Sequence, residues 1–277
     1  MDWITAYKIP VGDVAADLFG WLQDKGEGVF DAIAVLLEWL INVFLWCLQT
    51  PSPFIVIGVF AALAYLLQRS WKTSLLVAVG FLFILNQDYW EEATESLTLV
   101  ISACVVCMAI GVPMGVFASR RPGFYKFLSP VLDLMQTLPT FVYLIPAIVF
   151  FGIGMVPGLL ATVIFVVPAP IRLTYLGISS TPPALIEAVQ AFGGTKRQIL
   201  WKAELPYALP QIMTGLNQTI MLSLSMVVIA ALVGADGLGV PVVRALNQVN
   251  TALGFESGFV IVVLAIMLDR VLRIKSK

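Results

Sequence analysis

Two stretches of this chain, Leu134 to Ile171 and Leu205 to Ala235, contain no Asp, Glu, Lys or Arg. A bilayer hydrocarbon core of about 30 Å is crossed by about 20 apolar residues of helix, so each stretch exceeds what one crossing needs. In lipid no water is at hand for backbone N–H and C=O groups, which restricts spanning structures to helices and closed barrels. Long apolar runs without strand alternation belong to the first class. The expected fold is therefore all-α, a polytopic helical bundle. Composition agrees, with 60% hydrophobic residues, 12% charged and no histidine; a soluble domain of this balance would aggregate. The net charge of −1 and the lack of a basic tract give no footing for nucleic acid.

Charge-poor apolar segments place spans at 53–68, 72–87, 94–118, 130–152, 157–177, 207–234 and 255–273. The loops at 69–73, 119–130 and 172–206 and the C-terminal tail then share one side. Arg69, Lys72, Arg120, Arg121, Lys126, Arg172, Lys196, Arg197, Lys202, Arg270, Arg273, Lys275 and Lys277 fall there, leaving Lys8, Lys25 and Arg244 opposite. Lys and Arg accumulate on the cytoplasmic side of membrane proteins, so the crowded side is cytoplasmic. This orientation puts the C-terminus in the cytoplasm and the N-terminus in the periplasm.

Residues 31–49 read in two ways. Asp31, Glu38, Asn42 and Gln49 draw a narrow polar stripe on one helical face. An interfacial helix would turn that stripe to water and keep Val35, Leu36, Trp39 and Leu40 in the lipid boundary. An eighth span is the rival, and it would move the N-terminus to the cytoplasm. The chain divides into an N-terminal tail with this helix at 1–52, a peripheral hairpin at 53–90 and a core at 91–277. No charged n-region precedes a small-residue cleavage site, which argues against a removable signal. The tryptophans at 3, 21, 39, 46, 71, 90 and 201 avoid the centres of the later spans, as an interfacial belt does.

Missing chemistry narrows the function. There is no G-x-x-x-x-G-K-[ST] phosphate cradle, and Gly193-Gly194-Thr195-Lys196 lacks its spacing and preceding strand. ATP is therefore expected on another chain, with no cofactor on this one. Without histidine there is no Ser-His-Asp arrangement, and few carboxylates lie deep enough to relay protons. Cys104 and Cys107 have the C-x-x-C spacing but sit in an uncharged helix that favours neither thiolate nor metal. No catalytic residue and no metal site are expected.

Between the two charge-free stretches lies a polar island, Arg172 to Glu204. Thr181-Pro182-Pro183 reads as a helix start, with Thr181 at the N-cap and proline in the first turn. Gly193-Gly194 ends that helix, and Thr195-Lys196-Arg197-Gln198 has the capping-box pattern of a second one. Two short helices joined by a tight elbow, projecting from a membrane protein, fit a groove on a partner; an ordinary structured loop is the plainer alternative.

The motif Glu187-Ala188-Val189-Gln190-Ala191-Phe192-Gly193, with Leu205-Pro206 after it, resembles the EAA motif of permease subunits in binding-protein-dependent ABC importers. Val189 stands where that family has Ala and Ala203 where it has Ile, both apolar replacements. Leu138–Pro146, Val167–Thr174 and Leu224–Ala230, with Gly234-Ala235-Asp236-Gly237-Leu238-Gly239, are similar to permeases for quaternary amines: glycine betaine, proline betaine and choline. The likeness covers 91–270, and the whole is most like the choline branch, with glycine betaine or proline betaine as the alternative substrate.

The resemblance implies a type I ABC importer permease fold in the bacterial inner membrane. It implies a second permease copy, two ATP-binding subunits carrying ATP and Mg, and a periplasmic substrate-binding protein. In that setting Glu187, Ala188, Gly193, Gly194, Thr195, Leu205 and Pro206 couple the chain to the ATPase, with Gly193 supplying backbone freedom and Glu187 anchoring the first helix of the elbow. Tyr143, Pro139, Pro146, Pro168 and Pro170 are candidates for the pathway, where prolines and glycines would bend helices beside a shared cavity. An ATP-independent channel or secondary carrier would need charged or coordinating groups facing a cavity, which these spans hardly provide.

Overall fold

The computed structural model describes residues 11–272. Trp3, Lys8, Arg273, Lys275 and Lys277, and with them the expected sides of both termini, lie outside the described residues. The chain is helical throughout that range: α1 Val11–Gln49, α2 Pro53–Gln68, α3 Trp71–Asn86, α4 Trp90–Arg120, α5 Pro122–Thr137, α6 Thr140–Phe151, α7 Met155–Val166, α8 Pro168–Ser179, α9 Pro183–Ala191, α10 Lys196–Ile199, α11 Leu205–Ala231, α12 Gly239–Gln248 and α13 Thr251–Leu272. A π-helical turn, Leu200–Glu204, joins α10 to α11.

Among the described residues five helical stretches are long and apolar enough to cross a membrane: Gly12–Gln49, Trp90–Arg120, Met155–Ser179, Lys196–Ala231 and Thr251–Leu272. Helices α7 and α8 run on through the helical Val167, so that two short helices make one crossing. The segment expected as one span at 130–152 is broken instead, with α5 and α6 meeting at 96°. Leu138, in extended conformation at ψ 137°, precedes Pro139, and the proline ring disfavours helix at the residue before it. The α2–α3 hairpin matches its expected boundaries to within a residue. Each arm has 16 residues, or about 24 Å of helix, which stops short of a full hydrocarbon core.

The stretch Asp31–Gln49 is part of the 39-residue helix α1. Leu37 and Ile41 are buried in a cluster with Ala103 and Cys107 of α4 and Leu159 of α7. Phe30 stacks on Phe150 of α6 at 4.5 Å, and the Gln49 side-chain amide donates to Thr94 Oγ1 at 3.1 Å. Asp31, Glu38 and Asn42 are exposed, and so are Val35, Leu36 and Trp39. The buried row between them is what attaches the helix to the bundle.

Helices α4, α8 and α11 form the centre. In lipid, small residues at a crossing let helix backbones come close. A Cβ added to Gly111 would sit 2.7 Å from Pro170 Cγ, and one on Gly177 would sit 2.9 Å from Ala208 Cβ. One end of the bundle is closed by loop contacts: Gly154 N–H donates to Val233 O at 2.9 Å and Leu238 N–H to Ser96 Oγ at 2.8 Å. Cys104 and Cys107 are buried and unbridged, in keeping with packing residues.

Candidate functional site: a glycine-jointed elbow continuous with a spanning helix

Helix α8 ends at Ser179, and the chain turns through Thr181 and Pro182 into α9. Thr181 is not the expected N-cap. It is 6% exposed with no hydrogen-bond partner for its hydroxyl, and Pro182 holds the cap position. The helix is started instead by Pro183, whose fixed φ suits the first turn and whose missing N–H would have been unpaired there anyway.

Helix α9 stops at Ala191. Gly193 adopts φ +73°, and the N–H groups of Gly193 and Gly194 donate to Gln190 O at 2.8 Å and Val189 O at 2.9 Å. These bonds satisfy carbonyls that the helix end leaves open. The two glycines serve different needs. A Cβ on Gly193 would meet nothing within 4 Å, so only its backbone conformation demands glycine; one on Gly194 would lie 2.5 Å from Val189 Cγ1 and 2.6 Å from its carbonyl oxygen.

Thr195 then opens α10 with the reciprocal cap its sequence suggests. Its N–H donates to Gln198 Oε1 at 2.7 Å, and the Gln198 N–H donates to Thr195 Oγ1 at 3.4 Å. From Lys196 onward the helix does not end. It passes through the π turn into α11, so the second arm of the elbow and the spanning helix form one 36-residue rod, Lys196–Ala231. Pro206 lies in the first turn of α11. A proline there removes one backbone donor and crowds the preceding turn; the wider turn just before it relieves that crowding.

Glu187 and Ala188 lie exposed on α9, and Glu187 makes no ion pair or hydrogen bond among the described residues. Within this chain it therefore does not anchor the helix. The carboxylate that does bind across the site is Glu204, buried to 6% exposure and ion-paired with Arg120 at the end of α4. Neither residue stands out in the sequence beyond marking the edges of polar loops.

Under the elbow the structure opens a groove of 930 Å³. One wall is α4, through Pro113, Phe117 and Arg120; the other is the elbow, through Ile186, Gln190 and Trp201. Phe192 is 94% exposed, the most outward aromatic of the elbow.

The pathway candidates stand on α6 with its N-cap and on the first turn of α8. Tyr143 is 7% exposed and donates its hydroxyl to Met135 O at 2.6 Å, tying α6 back to α5 across the bend. Pro139 is the residue at that bend. Pro146 lies inside α6, which continues through it. Pro168 and Pro170 are buried in the first turn of α8, and a Cβ on Gly215 of α11 would sit 3.3 Å from Pro170 Cα. Pro168 and Pro170 thus serve a helix crossing, and only Pro139 marks a sharp break. Gly234 ends the helical run after α11 at φ +82°.

Residues 108–274 match the family described as "Binding-protein-dependent transport system inner membrane component". The chain is 43% identical over 273 residues to the glycine betaine transport system permease protein OpuAB of Bacillus subtilis (strain 168), covering 98% of this chain and 96% of that one. It is 42% identical to the glycine betaine/carnitine transport permease protein GbuB of Listeria monocytogenes, covering 91% and 90%. It is 41% identical to the glycine betaine/proline betaine transport system permease protein ProW of Escherichia coli K12, covering 95% and 74%. Among solved structures, an inward-facing MetNI methionine ABC transporter superposes with a TM-score of 0.58 at 24% identity, over 65% of this chain and 91% of that one.

Proposed function

The chain belongs to the family of binding-protein-dependent transport system inner membrane components, and from that premise we propose that it carries a zwitterionic quaternary ammonium compound of the glycine betaine type inward. It is a multi-pass membrane permease subunit of an ABC importer and not itself an enzyme; a partner ATPase and a binding protein follow from the family in general. The relatives at 43%, 42% and 41% identity are all named for glycine betaine. Their names favour that substrate over choline, to which only the overall likeness of the sequence points and no motif does. The chemical difference is a carboxylate, which glycine betaine has and choline lacks.

The observation that carries the coupling mechanism is the unbroken rod Lys196–Ala231. A partner ATPase that grips the exposed face of α9 and Phe192 moves α10, and α10 cannot move without α11. The Gly193 joint sets the angle between the two arms, and the Arg120–Glu204 pair ties the base of the elbow to α4. Closure of two ATPases on ATP would then rock two such permeases between inward-open and outward-open arrangements. The cation-rich loops face the ATPase on the cytoplasmic side in this arrangement. The substrate reaches the opposite side from a periplasmic protein whose aromatic groups would recognise the ammonium.

The test is uptake of labelled glycine betaine, proline betaine and choline by proteoliposomes holding this chain with its ATPase, binding protein outside and ATP inside or withheld. ATP-dependent uptake with glycine betaine preferred is the expected result. Preference for choline would return the substrate assignment to that branch, and uptake without ATP would overturn the coupling mechanism.

A further inference from the structure

Beside the core, α2 and α3 lean against α4, α11 and α13 and leave a cleft of 480 Å³. Every residue lining it is apolar, among them Leu63, Leu67, Val105, Ile220, Leu268 and Leu272. Its volume is that of a small-molecule site, for which about 300–1,000 Å³ is usual. Leu63 and Val105 are each 45% exposed and Leu67 62%, so the cleft opens sideways, toward the hydrocarbon around the bundle.

Three cations stand close in sequence to residues that line one end of the cleft. Leu67 precedes Arg69 by two positions in the turn of the hairpin, and Leu268 and Leu272 flank Arg270 on α13. The Gln68 side chain donates to Val271 O at 2.7 Å, which brings that turn and that end of α13 together. Lys72 follows in the first turn of α3. Arg69, Lys72 and Arg270 are exposed and none of them forms an ion pair among the described residues. The nearest carboxylate in sequence, Asp269, is half-buried and faces α11, where the Asn217 amide donates to it at 3.5 Å. Trp71, 65% exposed, stands in the same turn, and tryptophan favours the level of lipid headgroups. An apolar slot with three unpaired cations near one end is complementary to one molecule type.

We propose that this cleft binds a single anionic glycerophospholipid, one acyl chain lying between the hairpin and α13 and the phosphate held by Arg69, Lys72 and Arg270. The occupant braces the short hairpin, whose arms do not reach across the hydrocarbon by themselves. Basic clusters between membrane helices hold anionic headgroups by the same attraction.

The full chain, purified with the subunits it carries, is incubated with phosphatidylglycerol or phosphatidylcholine and the bound lipid is counted by native mass spectrometry. Phosphatidylglycerol should be retained preferentially. The triple change R69Q/K72Q/R270Q should lower its retention by about tenfold or more, to the level of phosphatidylcholine, and Val105→Trp, which fills the slot, should lower both. A phosphatidylglycerol with a photoreactive acyl chain should label 60–67 and 264–272 of the unaltered chain, a readout that needs no variant to fold. Equal retention of the two lipids, unchanged retention in the triple variant, or labelling confined to other segments overturns the proposal. Labelling of a second copy of the chain at these residues by a protein crosslinker would show the cleft to be a protein contact instead.

Discussion

Arg120, the last residue of α4, is ion-paired with Glu204, the last residue of the π turn, across 84 positions of sequence. The pair spans the only described junction between the base of the elbow and a different spanning helix that is held by opposite charges. Glu204 is 6% exposed while the Arg120 side chain keeps 37% exposure. Losing one member of a fully buried pair costs about 3–5 kcal/mol; the exposure of Arg120 reduces that to about 2 kcal/mol. Glu204→Gln is therefore expected to lower the substrate moved per ATP hydrolysed several-fold in proteoliposomes while the permease still assembles. The exchange R120E/E204R should recover much of the loss. A ratio unchanged in E204Q, or no recovery in the exchange, would show that the pair has no part in transmission.

The two glycines of the elbow give a graded prediction. Gly193→Ala meets no neighbour and costs about 1–2 kcal/mol for a left-handed backbone. Gly194→Ala must push against the Val189 side chain and carbonyl, so the end of α9 has to shift. The expected order of ATP-driven uptake is unaltered chain, then G193A, then G194A, with a bulky residue at 193 worse than Ala. Full uptake with Val at 193 would dismiss the joint.

How much of this could be read beforehand follows from the range of the forces. The capping box at Thr195 and Gln198 and the helix break at Gly193 are local, set within four residues, and both appear where the sequence puts them. Thr181 failed as a cap because burial, which its neighbours in sequence do not encode, took its hydroxyl away from the helix start. The α5–α6 bend is signalled in the sequence by Pro139, but its 96° is not, since hydropathy reports depth in lipid and not direction. Arg120 and Glu204 could not be paired from one sequence at all. The full length of α1 was missed because its N-terminal half carries too many charges to stand out as an apolar segment.

Phe192 separates docking from folding. At 94% exposure it supports no part of this chain, and surface changes of that kind usually stay within about 0.5 kcal/mol of the original stability. Phe192→Asp should therefore leave the melting temperature of the isolated permease unchanged while weakening co-purification with the ATPase by about tenfold or more, as loss of an aromatic anchor does. Undiminished co-purification would place the docking surface elsewhere on the elbow.

Tyr143 tests whether the bent span serves substrate choice or motion. The ring is packed with Leu144, Ala161 and Met226, and its hydroxyl reaches over the bend to Met135 O at 2.6 Å. At 7% exposure the ring has no open face to offer a cation. The hydroxyl instead fixes the angle between α5 and α6, a hinge made by Pro139. Tyr143→Phe removes one buried hydrogen bond, worth about 1 kcal/mol, and keeps the packing. The expected outcome is a several-fold change in transport rate with the ratio of glycine betaine to choline uptake unaltered. A changed ratio would place Tyr143 on the substrate's path, and the bend would then have to open enough to expose a ring that is now 7% exposed.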